Sequence, residues 1–166
     1  TPPVANAGID RIAYKRDTVA LDGSGSHDPD RDALTYLWRM VSRPEGSASV
    51  LNDSASPSPD FYVDTPGLYT IVLTVNDGKT DSAPVSVYTL AFLRQLEVPD
   101  VAGMTQEEAK SAIEASYFIV GTIGQGTTNK YSQGQVADQY PDAGAMVQEG
   151  SQIDLTLSLG DQSWDK

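Results

Sequence analysis

The 166-residue chain has no cysteine, a single histidine, and only eleven basic residues against twenty-three acidic ones. Without cysteine, no disulfide contributes to stability and the redox compartment stays unassigned. The formal charge of −12 argues against nucleic acid and anionic membrane surfaces as partners, since both need clustered Lys and Arg. No apolar run approaches the ~20 residues of a membrane span. The acids are spread along the chain, and their first-order role is solubility. No signal peptide is present, but the chain starts abruptly at Thr1-Pro-Pro and reads as a piece cut from a longer protein. A missing address therefore carries no information.

What the chain does have is organised around Val19 to Trp38. Val19 and Leu21 open as a strand. Gly, Ser, Asp and Pro follow, whose side chains bond their own backbone and favour turns. Leu34, Tyr36, Trp38 and Met40 then alternate as a second strand. Two half-buried strands joined by an acidic turn predict the central hairpin of an immunoglobulin-like sandwich. Around it, Pro3 to Ala7 suits an edge strand, and Arg11 to Arg16 continues with Ile12 and Tyr14 alternating. Val50-Leu51 and Phe61/Val63 are short strands, Ile71/Leu73/Val75 give the cleanest alternation, and Ala83 to Phe92 supplies the last strand. About seven strands in ~90 residues is what such a sandwich requires. Tyr69, two residues before core position Ile71, has the spacing of a tyrosine corner; Ile71 stands where antibody domains carry cysteine, so packing against Trp38 must replace the bridge.

Pro3-Val-Ala-Asn-Ala-Gly8, Leu21-Asp-Gly-Ser-Gly-Ser-His-Asp-Pro-Asp30 and Leu34-Thr-Tyr-Leu-Trp38 closely resemble the polycystic-kidney-disease (PKD) family of extracellular β-sandwich modules. Many of its members follow the Trp with Phe-Gly-Asp-Gly; here Arg39 to Ser47 resembles the branch with a longer loop.

Asp28, Asp30 and Asp32 alternate like the start of a calcium loop, but the helix-loop-helix pattern fails: Ala33 stands where Gly is needed and Arg39 where Glu is needed. Some PKD relatives bind calcium at one end of the sandwich. Carried over by motif, the resemblance places Asp28, Asp30 and Asp77 as metal ligands and calcium as the one candidate cofactor. Three close carboxylates would repel unless a cation sat between them. The competing reading has these acids closing Asx turns without metal. His27, with Ser24, Ser26 and Asp28 beside it, cannot form a triad, because triad members converge from separate segments. Trp38 is in phase with Leu34 and Tyr36, which makes it core and not a sugar platform. Trp164 belongs to a tail at 161–166.

Leu93 to Glu97 lacks a Gly/Ser-rich stretch and reads as a short, stiff linker between a sandwich at 1–92 and a second module at 98–160. In that module Thr105-Gln-Glu-Glu108 is a capping box. Ala109, Ala112, Ile113 and Ser116 follow at helical spacing. Strands are expected at Phe118–Ile123, Gln135–Tyr140 and Gln152–Leu159; in the last, Ile153, Leu155, Leu157 and Leu159 point inward while Asp154, Thr156 and Ser158 point outward. One helix on a three-stranded sheet makes a small α+β domain. Val98-Pro-Asp-Val-Ala-Gly-Met-Thr-Gln-Glu-Glu-Ala109, Tyr140-Pro-Asp-Ala-Gly144 and Gly150 to Gly160 closely resemble the PASTA module. That family occurs outside the membrane of bacteria, on penicillin-binding proteins and receptor-type Ser/Thr kinases, in association with peptidoglycan fragments or β-lactams.

Together the resemblances imply a mainly β, non-catalytic spacer, adhesion and binding region of a bacterial secreted or surface protein, located extracellularly, at the cell surface or in the periplasm. The implied partners are peptidoglycan fragments, other surface proteins or polysaccharide. The alternatives are the accessory region of a secreted hydrolase whose catalytic domain lies elsewhere, or a sensor ectodomain. No catalytic residue is assigned: no two acids can be placed on facing walls of a cleft, and there is neither a cysteine nor a second histidine.

Overall fold

The computed structural model describes residues 1–160. The chain divides into two compact units, Thr1–Leu93 and Arg94–Lys166, each with its own buried apolar cluster.

In the first unit the period-2 alternation produces seven strands: β1 (Arg11–Tyr14), β2 (Thr18–Ala20), β3 (Thr35–Ser42), β4 (Leu51–Asn52), β5 (Asp60–Tyr62), β6 (Gly67–Asn76) and β7 (Val85–Phe92). They form two sheets, ordered β1-β7-β6-β3 and β2-β5-β4. All pairs are antiparallel except β1 with β7. Inward positions of both sheets make one core: Tyr69, Ile71, Leu73 and Val75 of β6 lie with Trp38, Val19, Phe61 and Val87, as in a two-layer sandwich.

The stretch Val19 to Trp38 is not a hairpin. β2 pairs with β5 and β3 with β6, so residues 21–34 cross from one sheet to the other. The physical reason is burial: Val19, Leu21 and Trp38 enter the core from opposite walls, which a shared ladder would not allow. Gly23 makes room for the crossing, since a Cβ there would lie 2.9 Å from Cζ2 of Trp38. The indole N–H donates to the Ser56 carbonyl at 3.1 Å. The edge strand expected at Pro3–Ala7 reduces to one bridge, Val4 with His27. In β1, Ala13 is buried while Ile12 and Tyr14 face outward.

The tyrosine corner forms as its spacing predicts. The Tyr69 hydroxyl donates to the Thr65 carbonyl at 2.6 Å and accepts from the Thr65 amide at 3.2 Å. Asp64 joins it, accepting from the Ser47 and Ser49 hydroxyls at 2.6 and 2.8 Å and from the Ala48 amide at 2.6 Å. Desolvation alone would raise the Asp64 pKa; the donors from Ser47, Ala48, Ser49 and Tyr69 outweigh it and hold the carboxyl far below the usual carboxylate range.

The second unit contains β8 (Gln95–Glu97), α1 (Gln106–Ala115), β9 (Ile119–Gly126), β10 (Val136–Tyr140), β11 (Met146–Gln148) and β12 (Gln152–Ser158). Its three-stranded sheet runs β10-β12-β9, with β12 parallel to β9 and antiparallel to β10. Thr105 and Glu108 close the capping box in both directions, and Ala109 and Ile113 bury the narrow apolar face of α1.

Two expectations are corrected here. The supposed linker 93–97 includes β8, which pairs with β11 in a separate antiparallel ribbon. A three-residue strand carries too little alternation to stand out in the sequence. Ser158 is buried instead of pointing to solvent, because the segment before β10 folds over the end of β12. Its hydroxyl donates to the Tyr131 carbonyl and its carbonyl accepts from the Gly134 amide, each at 2.8 Å. Trp164 and the rest of the tail lie outside the described residues.

Candidate functional site

The crossing loop of the first unit gathers its acids at one end of the sandwich. Asp28 is buried. Its Oδ1 accepts from the Asp30 amide at 2.7 Å and the Asp32 amide at 3.2 Å, while its Oδ2 is buried with no hydrogen-bond partner. Asp30 pairs with the Thr1 amine. Across from them, Asp77 accepts from the Lys79 and Thr80 amides at 2.7 and 2.6 Å, which lowers its pKa. The Lys79 ammonium reaches Asp32 at 2.7 Å.

The acids carried over from the PKD resemblance therefore share one end of the sandwich, where Asp32 first and then Asp77 and Asp30 act on the Lys79 ammonium. Among the described residues, however, no group of three acidic or histidine side chains converges closely enough to hold a metal ion. Donor chemistry and the orphaned Asp28 oxygen fit a hard cation; the spacing of the carboxylates is not a finished cage.

His27 is exposed and exchanges backbone hydrogen bonds with Val4 at 2.8 and 3.0 Å. The Ser24 hydroxyl donates to Asp22 at 2.6 Å, and that of Ser26 accepts from the Asn6 amide at 2.9 Å. These side chains serve the loop backbone.

The second unit carries a recess of about 360 Å³ whose walls come from three distant segments, around Asp100, Lys130 and Asp138–Asp142. Gln139, buried on β10, builds it. Its Oε1 accepts from the Val101 amide and its Nε2 donates to the Pro99 carbonyl, both at 2.9 Å, so the 99–101 segment is tied to the strand. Gln135 ties the other side, donating to the Gly103 carbonyl at 2.6 Å and accepting from the Ser132 amide at 2.8 Å. Gly103 has φ +81°, and a Cβ there would lie 3.2 Å from the Tyr131 ring; glycine suits both the turn and the ring. The Lys130 ammonium lies 4.8 Å from the centre of that ring, and its pKa is raised by Tyr131 first and by the charge of Asp100 last. Tyr131, Lys130 and the three aspartates Asp100, Asp138 and Asp142 thus line one recess. Sequence reading missed this set, because its members lie in three segments that no local motif links. A wider, shallower recess of about 760 Å³ lies against the start of α1, with Met104 and Ala112 in its lining and Glu107 and Glu108 among its polar groups.

A two-layer immunoglobulin-like sandwich followed by a small α+β unit defines a mainly β chain of two modules. The chain belongs to the "K319L-like, PKD domain" family, matched over residues 7–89, and carries a PASTA domain matched over residues 96–159. Both are non-catalytic module types. It is 35% identical over 82 residues to the probable serine/threonine-protein kinase PknB of Corynebacterium glutamicum, covering 49% of this chain and 13% of the kinase. It is 34% identical over 88 residues to the serine/threonine-protein kinase PrkC of Bacillus subtilis, covering 52% of this chain and 13% of that kinase. The chain thus spans about an eighth of the length of each of these two kinases. Among solved structures, the PKD domain from KIAA 1837 protein superposes with a TM-score of 0.45 at 29% identity, over 52% of this chain and 83% of that one. Among the described residues, no helix is long and apolar enough to cross a membrane.

Proposed function

We propose that this chain is a non-catalytic region of a bacterial extracellular or surface protein, in which the PKD unit is a spacer and adhesive module and the PASTA unit binds cell-wall fragments. The observation that carries the binding half is the recess of Asp100, Lys130, Tyr131, Asp138 and Asp142 in a unit that matches PASTA. Peptidoglycan fragments combine sugar rings, amines and carboxylates. The Tyr131 ring offers a stacking surface, the aspartates accept from amines, and Lys130 pairs with a carboxylate. Retention on purified peptidoglycan, and heat on titration with muropeptides, test the reading. Retention that disappears in the Lys130→Ala/Tyr131→Ala double variant supports it; no retention of the unaltered chain removes the wall-binding half and leaves the spacer. The kinase relatives favour a sensor ectodomain over a hydrolase accessory region, which the reading frame flanking this stretch decides.

A second reading is favoured by the orphaned Asp28 oxygen. Calcium at the acidic end would be drawn by Asp28, with Asp30 and Asp77 supplying flanking charge. Bound metal raises the melting temperature of the first unit by linkage, and Asp28→Asn removes the effect. Superimposable melting curves in calcium and in EDTA rule the reading out.

A further inference from the structure

The two outer faces of the sandwich differ sharply. On the β2-β5-β4 sheet the outward positions are Thr18, Ala20, Asn52, Asp60 and Tyr62. On the four-stranded sheet, register places Ile12, Leu90 and Leu68 side by side across β1, β7 and β6, with Tyr14 beside Phe92 in the next row and Tyr88 on the other flank. All six are exposed, Ile12 at 73% and the other five between 42 and 49%. No Asp or Glu occurs anywhere in β1, β3, β6 or β7, in a chain that carries twenty-three acids.

We propose that this face is a self-association surface that packs against the same face of a second copy of the chain. The size fits. The six side chains present roughly 600 Å² of largely apolar surface, at the top of what a monomer ordinarily leaves bare. Two copies face to face bury about 1,200 Å², the lower bound of a specific, stable interface. The composition fits as well. Interface cores are rich in aromatic residues and poor in Asp and Glu, and Tyr14, Tyr88 and Phe92 meet that description. Charge permits a second copy: the strands of this sheet carry no Asp or Glu, and Asp10, which accepts from the Tyr88 amide at 2.9 Å at the rim of the patch, leaves its apolar centre without a carboxylate to meet that of the other chain. A flat patch that faces its own copy about a two-fold axis is self-complementary, which gives a closed dimer and not a fibre.

Sedimentation equilibrium of the whole chain from about 5 to 500 µM tests the proposal; a reversible dimer with its midpoint inside that range is expected. Leu90→Glu is expected to raise that midpoint at least about tenfold. So is Ile12→Lys, whose site is exposed enough that folding is not at stake. Tyr62→Glu, on the outer face of the other sheet, leaves the midpoint unchanged. A monomer throughout the range overturns the proposal, whatever else then covers the face. A dimer indifferent to Leu90→Glu and Ile12→Lys, or one weakened as much by Tyr62→Glu, overturns it too.

Discussion

Replacing Tyr69 by Phe isolates the tyrosine corner from the packing around it. The ring is fully buried and lies 5.2 Å from that of Phe61; Phe keeps this contact and opens no cavity. What disappears is the hydroxyl, with its donation to the Thr65 carbonyl at 2.6 Å and its acceptance from the Thr65 amide at 3.2 Å. Each such bond is worth about 0.5–1.5 kcal/mol net. Thr65 is half-buried, so water only partly replaces the lost partner, and the expected destabilisation is about 2 kcal/mol. Asp64 also loses a neighbour at 3.1 Å but keeps Ser47, Ala48 and Ser49, so no charge is stranded. In a domain of this size 1 kcal/mol moves the melting point by about 4–8 °C, which places the expected shift near 8–16 °C. Urea unfolding followed by tryptophan fluorescence in a Trp164→Phe background reads Trp38 alone, and hence the first unit. An unchanged urea dependence with a lower midpoint identifies a change in stability. A loss below about 0.5 kcal/mol refutes the claim that the corner bonds stabilise the sandwich.

Gly23→Ala places a Cβ 2.9 Å from Trp38 Cζ2 and 3.1 Å from both Leu73 Cδ2 and the Pro57 carbonyl; overpacking of this kind costs about 1–3 kcal/mol, read by the same urea curve. Thr105→Ala removes the capping box of α1 and lowers the stability of the second unit by about 1 kcal/mol, read by calorimetry. Acid stability has a definite sign. Asp64, Asp22, Asp77 and Glu108 all have pKa values lowered in the folded chain, so their contribution is present above the ordinary carboxylate pKa of about 4 and drains away as the pH falls through the folded values. Asp64→Asn is expected to lower the neutral plateau and flatten the acid limb of the first unit's stability curve; an acid limb parallel to the parent's contradicts the assigned role.

The parts of this fold that were legible in the sequence are those whose signal is local. The alternation of Ile71, Leu73 and Val75, the Thr105–Glu108 box and the Tyr69–Ile71 spacing each encode their outcome within a few residues, and each forms. Partner choice was not legible. Strands that flank an acidic loop look the same whether they share a ladder or face each other across a core, and Val19 with Trp38 took the second arrangement. β8 and β11 are too short to show a period. Of the candidate sites, the acidic end could be read because Asp28 and Asp30 sit in one motif. The recess could not: Asp100, Lys130 and Asp138 meet only because Gln139 and Gln135 tie their segments together over long sequence separations.

The acids themselves do more than keep the chain in solution. Asp17 accepts from the Tyr14 amide, Asp22 from Ser24, Asp28 from Asp30 and Asp32, Asp77 from Lys79 and Thr80, and Asp100 from Ala102. A mainly β chain with short strands leaves many loop amides outside any ladder, and an amide removed from water needs an acceptor. Aspartate supplies one within two to four residues, so the turn closes on its own side chain. Negative charge accordingly collects where the ladders stop, and the strands of the larger sheet carry none. Removing one of these turn aspartates would relieve some repulsion, yet it strips a loop amide of its partner, so the net effect on stability is loss. The same segregation that fixes the loops leaves the strands of one sheet without a carboxylate, with Asp10 bonded to the Tyr88 amide at the rim of its outer face.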